Sequence, residues 1–290
     1  MKQSLEHRRR VYAEEVCSRS GVGTAALVRA FATVPRERFL GPGPWQILVS
    51  PPAQYRLTDD ADPRHLYRDV LVAIDPSRLL NNGQPSAHAA WMAQLDLQAG
   101  EHVVHVGCGT GYYAAIFAEV VGPAGRITAI ELDPELSERA RINLAPYLQV
   151  QVIAANGCTH APDAADAVYV NAGATHPQAA WLDCLKVGGR LLLPLVRWPA
   201  RQEETALAGC GVVVKITRTA NGHAARIVSL VGIFPCLGAV DPEADQHLAE
   251  ALASGADVNA VRSLRRDAHQ REPDCWLHSI GFCLSARPSR

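Results

Sequence analysis

The sequence predicts an α/β fold, doubly wound around a largely parallel sheet. From about Gly83 onward, short apolar runs alternate with helical patterns of roughly ten residues. One run, residues 103–106, passes straight into Gly107-Cys108-Gly109-Thr110-Gly111 and then into a helical pattern. Parallel neighbours need crossover connections, and alternation of strand and helix supplies them with the usual right hand.

In chain order, Leu5, Tyr12 and Val16 share one helical face. Leu27, Ala30, Phe31 and Val34 then follow the i, i+3, i+4, i+7 pattern behind the N-cap candidate Thr24, with Pro35 just beyond. Pro42, Pro44, Pro51, Pro52 and Pro63 predict an extended, irregular wrap over residues 41–63. Strands are expected at 103–106, 126–131, 150–154, 166–171 and 190–195, the last introduced by Gly188-Gly189. Helices are expected at 112–121, 134–144 and 177–185. Residues 211–217 and 226–233 flank the turn signal Asn221-Gly222, which predicts an antiparallel hairpin at one sheet edge. Residues 241–253 read as a helix and 276–284 as a final strand. The chain thus divides into an N-terminal helical segment with its proline-rich wrap (1–78), a core (79–235) and a C-terminal extension (236–290).

Composition removes several function classes. The 290 residues carry 28 Lys plus Arg against 29 Asp plus Glu, a formal net charge of −1, so no nucleic-acid partner is expected. With 48% hydrophobic and 20% charged residues the chain can bury a core. No apolar run reaches the roughly 18 residues of a spanning helix, and no membrane partner is expected. Arg8, Arg9 and Arg10 near the start have no apolar segment behind them, which predicts a cytoplasmic protein. The eight cysteines form no CxxC pair and read as reduced, mostly buried thiols.

The glycine turn carries the strongest chemical signal. Glycines there let the backbone turn sharply and approach a ligand without an intervening Cβ. The spacing is GxGxG rather than GxGxxG, which favours a ligand without a pyrophosphate. Glu131 closes the next strand, where a carboxylate can accept hydrogen bonds from both hydroxyls of a ribose. The bland alternative is a structural glycine turn, and the ordered sequence of strand, turn, helix, strand and terminal acid weighs against it.

Val34-Pro35-Arg36-Glu37-x-Phe39, Gln84-Pro85, the glycine turn, Glu131, Asn156-Gly157, Asp166-x-Val168-x-Val170 and Leu185-Lys186-x-Gly188-Gly189-Arg190-Leu191-x-x-Pro194 follow one another in the chain. Together they resemble the protein-L-isoaspartate O-methyltransferases, collinearly over roughly residues 5–235. The resemblance implies a Rossmann-like class I methyltransferase sheet and S-adenosyl-L-methionine as cofactor, with S-adenosyl-L-homocysteine as product. It implies that Gly107, Gly109 and Gly111 line the methionine and ribose, that Glu131 binds the ribose hydroxyls and that Asn156 and Gly157 flank the adenine. Asn82, Gly83, His88, His105 and Asn171 complete the cofactor candidates. Gln84 and Ser86 are the catalytic candidates.

The chain also departs from the family. Its Gln-Thr-Ile-Ser-Gln-Pro loop stands here as Leu79-Leu80-Asn81-Asn82-Gly83-Gln84-Pro85, so Gly83 takes the place of the serine and Ser86 is the nearest hydroxyl. His105 replaces an acid two residues before the first glycine, and a cation there would oppose a sulfonium, so this imidazole must be neutral. Asn156 replaces the acid of Gly-Asp-Gly and can still accept from an adenine amino group.

Other residues invite blander readings. His88 reads equally as a helix residue packed beneath the loop, and His102 as solvent-facing before its strand. His269, Cys275, His278 and Cys283 have spacings that match no common zinc pattern, so no metal is expected. Cys108 reads as a donor of its backbone amide rather than a nucleophile. Arg265 and Arg266 read as solvated, and Trp45, Trp91, Trp181 and Trp198 as core or lid. The resemblance implies methyl transfer to an isoaspartyl or aspartyl carboxylate of a peptide or protein. A small-molecule methyltransferase and a binding protein that has lost its cofactor are the alternatives.

Overall fold

The computed structural model describes residues 4–21, 24–49, 54–78, 80–198 and 209–289. They form two compact units, one of Met1–Glu101 with Cys108–Ala154, the other of His102–Gly107 with Ala155–Arg290.

The first unit begins with α1 (Leu5–Arg19), α2 (Ala25–Thr33) and the single turn α3 (Glu37–Leu40). The Ser4 and Thr24 side chains accept from the His7 and Leu27 amides and cap the first two helices, as the sequence suggests for Thr24. Tyr12, Phe31, Phe39, Tyr67 and Tyr112 are buried and meet edge to face.

Residues 41–63 depart from the expected irregular wrap. β1 (Gln46–Val49) and β2 (Gln54–Leu57) pair antiparallel, Gln46 opposite Leu57. Pro42, Pro44 and Pro63 lie outside the paired residues, so none removes a ladder donor, and Pro51 and Pro52 lie outside the described residues. Burial of Trp45 and Ile47 against Leu40, Leu66 and Val72 holds the segment. A second short pair, β3 (Ala73–Asp75) with β4 (Leu80–Asn81), precedes α4 (Pro85–Gln94).

β5 (His102–Val106) belongs to the second unit, and the first resumes with α5 (Tyr112–Val121), β6 (Arg126–Glu131), α6 (Pro134–Leu144) and β7 (Val150–Ala154). These four have the bounds the sequence predicts. β6 and β7 are parallel, and Asp133 caps α6 with Pro134 at its first position.

The second unit adds β8 (Ala165–Val170), α7 (Ala179–Asp183), β9 (Leu185–Arg197), β10 (Gly209–Arg218), β11 (His223–Ile233), α8 (Pro242–Ala253), β12 (Ser263–Arg265), β13 (Cys275–Ser279) and β14 (Phe282–Ser285). Its strands run in the order β13, β14, β12, β11, β10, β9, β8, β5. β5, β8 and β9 are parallel, and the pairs from β9 outward to β13 are antiparallel. The expected hairpin is β10 with β11, and three strands of the C-terminal segment continue past it. The helix expected at 177–185 is only α7, because β9 begins already at Leu185. The final strand expected at 276–284 is instead two strands, turned at Gly281, whose φ of 81° suits glycine. His102, expected to face solvent, is buried in β5, where its amide donates to Asp166. Among the described residues no helix is long and apolar enough to cross a membrane.

Candidate functional site

In the first unit the glycine turn is tied to the end of β6. Gly109 and Gly111 have φ of 57° and 95°. Glu131 accepts from the Gly109 amide at 2.7 Å through Oε2 and from the Asp133 amide at 3.0 Å through Oε1. Each carboxylate oxygen keeps further acceptor capacity, which two ribose hydroxyls can use. A Cβ on Gly109 would meet no atom within 4 Å, so bare backbone faces open space there, whereas one on Gly111 would strike Leu144 Cδ1 at 2.7 Å. The first glycine leaves the cradle open and the second permits helix packing. These residues fit the ribose of an S-adenosyl cofactor.

Cys108 corrects its sequence reading, since its amide donates to Ile130 O at 3.1 Å and is not free for a ligand. Burial, with Glu131 beside it, pushes its thiol well above the ordinary range, which leaves no nucleophile.

The loop before α4 is held by two residues that sequence reasoning did not assign a role. Asp69 accepts from the Ser86 amide at 2.9 Å, from Ser86 Oγ at 2.7 Å and from Gln84 Nε2 at 3.1 Å, so both catalytic candidates share one carboxylate. Arg36, wholly buried, donates to the carbonyls of Leu66 (2.6 Å), Arg68 (3.0 Å) and Val70 (2.7 Å) and to Asn82 Oδ1 (3.3 Å). Asn82 Oδ1 also accepts from the Val72 amide, so its side chain braces the loop from within. The motif residues 34–39 signal Arg36, but no local signal marks Asp69. Gly83, with φ of 72°, faces His88, whose ring stacks on Tyr113 at 3.8 Å between centroids.

In the second unit Gly107 and Asn171 are adjacent. Asn171 Nδ2 donates to Gly107 O at 3.2 Å, and a Cβ on Gly107 would lie 3.4 Å from Asn171 O. His105 is buried, edge-on to Tyr169 at 5.4 Å, and desolvation lowers its pKa to about 3. Its imidazole is therefore neutral at physiological pH, as the sequence reading requires. Asn156 Oδ1 accepts from the Cys158 amide, and Gly157 is packed so that a Cβ would meet Val106 Cγ1 at 2.5 Å while its carbonyl accepts from Trp181 Nε1 at 2.7 Å. Arg265 and Arg266 are engaged rather than simply solvated, pairing with Asp267 and Glu272 and with Asp183.

The sequence model described as Protein-L-isoaspartate(D-aspartate) O-methyltransferase matches residues 58–218, more than half of the chain. The chain belongs to this family. The match contains the Gln84-Pro85 loop, the glycine turn, Glu131 and Asn156-Gly157. Among relatives, the protein-L-isoaspartate O-methyltransferase of Ignicoccus hospitalis is 34% identical over 60% of this chain and 80% of its own. That of Methanothermobacter thermautotrophicus is 28% identical over 81% of this chain and 96% of its own. A solved protein-L-isoaspartate O-methyltransferase superposes with a TM-score of 0.62 at 21% identity, covering 84% of this chain and 68% of the other. A Plasmodium falciparum protein described as a beta-aspartate methyltransferase in complex with S-adenosyl-L-homocysteine gives 0.59 at 17% identity, covering 79% and 97%. These structural likenesses establish the family's Rossmann-like fold for this chain.

Proposed function

We propose that the chain transfers a methyl group from S-adenosyl-L-methionine to a carboxylate of a peptide or protein, isoaspartyl or aspartyl. The observation that carries this reading is the Glu131–Gly109 contact, which orients a buried ribose-type acceptor in a chain of this family. Glu131 holds the ribose hydroxyls, and Gly109 and Gly111 give backbone access. The cofactor supplies an electrophilic methyl on a sulfonium.

A carboxylate with a pKa of about 4 is already ionised at neutral pH, so the protein needs no general base. What remains is positioning and exclusion of water. Asp69 fixes Gln84 and Ser86, which present an amide and a hydroxyl to the acceptor peptide. Neutral His105 avoids placing a cation by the sulfonium.

The test is incubation of the full chain with methyl-labelled S-adenosyl-L-methionine and a peptide containing one isoaspartyl residue, beside its aspartyl isomer. Label released as methanol by mild base is the expected result, since a methyl ester is base-labile. Label that survives base indicates transfer to another atom and favours a small-molecule or amine acceptor. Binding of S-adenosyl-L-homocysteine without transfer to either peptide overturns the carboxyl reading.

A further inference from the structure

The geometry points to a zinc site in the C-terminal segment, built from His269, Cys275, His278 and Cys283. One ligand-capable atom from each of the four lies within 4.8 Å of every other. A tetrahedral zinc with Zn–S of about 2.3 Å and Zn–N of about 2.0–2.1 Å sets its ligand atoms roughly 3.3–3.8 Å apart. His269 Nε2 and Cys275 Sγ already stand at 3.6 Å.

The hairpin explains how residues of such uneven spacing meet. His278 and Cys283 are directly paired across β13 and β14. Cys275 and His278, three apart, would point to opposite faces of a regular strand, but the register shifts between Cys275 and Leu277, and that irregularity returns Cys275 to the face of His278. His269 enters from the preceding loop.

The surroundings suit a metal. His269 Nδ1 lies 2.9 Å from the Asp267 carbonyl, which can only accept, so Nδ1 carries the hydrogen and Nε2 presents its lone pair toward Cys275. That carbonyl is the partner a metal-bound imidazole ordinarily has behind it. The Glu272 amide donates to Cys275 Sγ at 3.3 Å, the backbone contact a ligating sulfur can keep. His278 Nδ1 is buried with no hydrogen-bond partner, a state a bound cation would end. Of the nearby carboxylates, Glu272 pairs with Arg265 and Arg287, and Asp274 Oδ2 with Arg287 and Ser285. Two thiolates and two imidazoles select zinc over magnesium or calcium, and two thiolates neutralise the dication. With four protein ligands the site is structural. It ties the short β13–β14 hairpin, too small to be stable alone, to the loop that precedes it.

The experiment measures metal in the purified full chain by mass spectrometry, then titrates the reduced, chelator-stripped chain with cobalt(II). About one zinc per chain, or uptake of about one cobalt with the ligand-field bands of a tetrahedral site and thiolate charge transfer, is expected. Cys275→Ser with Cys283→Ser should abolish the charge-transfer bands, whereas Cys210→Ser should keep them. Because the double variant can unfold the segment, the cobalt spectrum of the unsubstituted chain decides. A reduced chain that takes up neither metal, or that takes up cobalt without thiolate charge transfer, overturns the site, as does a Cys275–Cys283 disulfide whose reduction restores no binding.

Discussion

A Cβ added to Gly83 would stand 2.8 Å from His88 Cδ2 and nearer still to Nε2, so the histidine ring fills the space that any larger residue at position 83 requires. The two positions are therefore coupled through space. Gly83→Ser should destabilise the chain by about 1–2 kcal/mol, from the clash and from the positive φ, and should not raise methyl transfer. Urea unfolding of Gly83→Ser, His88→Ala and the double variant checks this. A coupling of at least about 0.5 kcal/mol in the double variant is expected, and strict additivity would refute the pairing.

Glu131 holds the glycine turn through one oxygen and the start of α6 through the other. Glu131→Gln keeps the shape and removes the charge, so S-adenosyl-L-homocysteine should bind about 10–100-fold more weakly by calorimetry, from the loss of charge-assisted hydrogen bonds. Unchanged affinity with a normal circular dichroism spectrum would remove Glu131 from the cofactor site.

Arg36 satisfies three backbone carbonyls and Asn82 from a fully buried position. Arg36→Met should lower stability by about 3 kcal/mol or more, because those acceptors are left without donors. Thermal unfolding measures it, and a shift no larger than that of a surface substitution contradicts the bracing role.

Asp69 should act by positioning. Asp69→Ala frees Gln84 and Ser86 together, and kcat/KM for the peptide should fall about 10–100-fold while affinity for S-adenosyl-L-homocysteine stays the same. Ser86→Ala, which leaves Gln84 bound to Asp69, should have a smaller effect. Equal losses in cofactor and peptide binding would indicate collapse of the loop instead.

Burial keeps the His105 pKa at about 3 in the folded chain, against about 6.5 unfolded. Above 6.5 the ring is neutral in both states and contributes no pH dependence. Between 6.5 and 3 only the unfolded chain takes the proton, so stability falls as pH falls, by about 1.4 kcal/mol per pH unit. His176 and His223 are also lowered by burial and persist in any variant at 105. The difference in stability between the chain and His105→Leu should therefore slope by that amount below pH 6.5 and be flat above it. A difference independent of pH would show that His105 is charged or exposed in the folded state.

Some features were legible residue by residue. The α5, β6, α6 and β7 bounds follow from apolar periodicity and from the glycine turn that opens α5, signals local to the elements they mark. The family, and with it Glu131 and the glycine turn, follows from motifs whose order along the chain survives without any knowledge of contacts. By itself the sequence determined the α/β core, the Thr24 cap of α2 and the cofactor chemistry. Only the tertiary structure decided the β1–β2 hairpin among the prolines, the burial of His102, the accommodation of Gly83 by His88, the Asp69 anchor 17 residues from Ser86 and the gathering of His269, Cys275, His278 and Cys283. Each of these depends on which residues meet across long stretches of chain or across a strand whose alternation is broken. Periodicity and propensity describe a residue's neighbours in sequence, whereas these arrangements are set by the burial and pairing of residues that become neighbours only on folding.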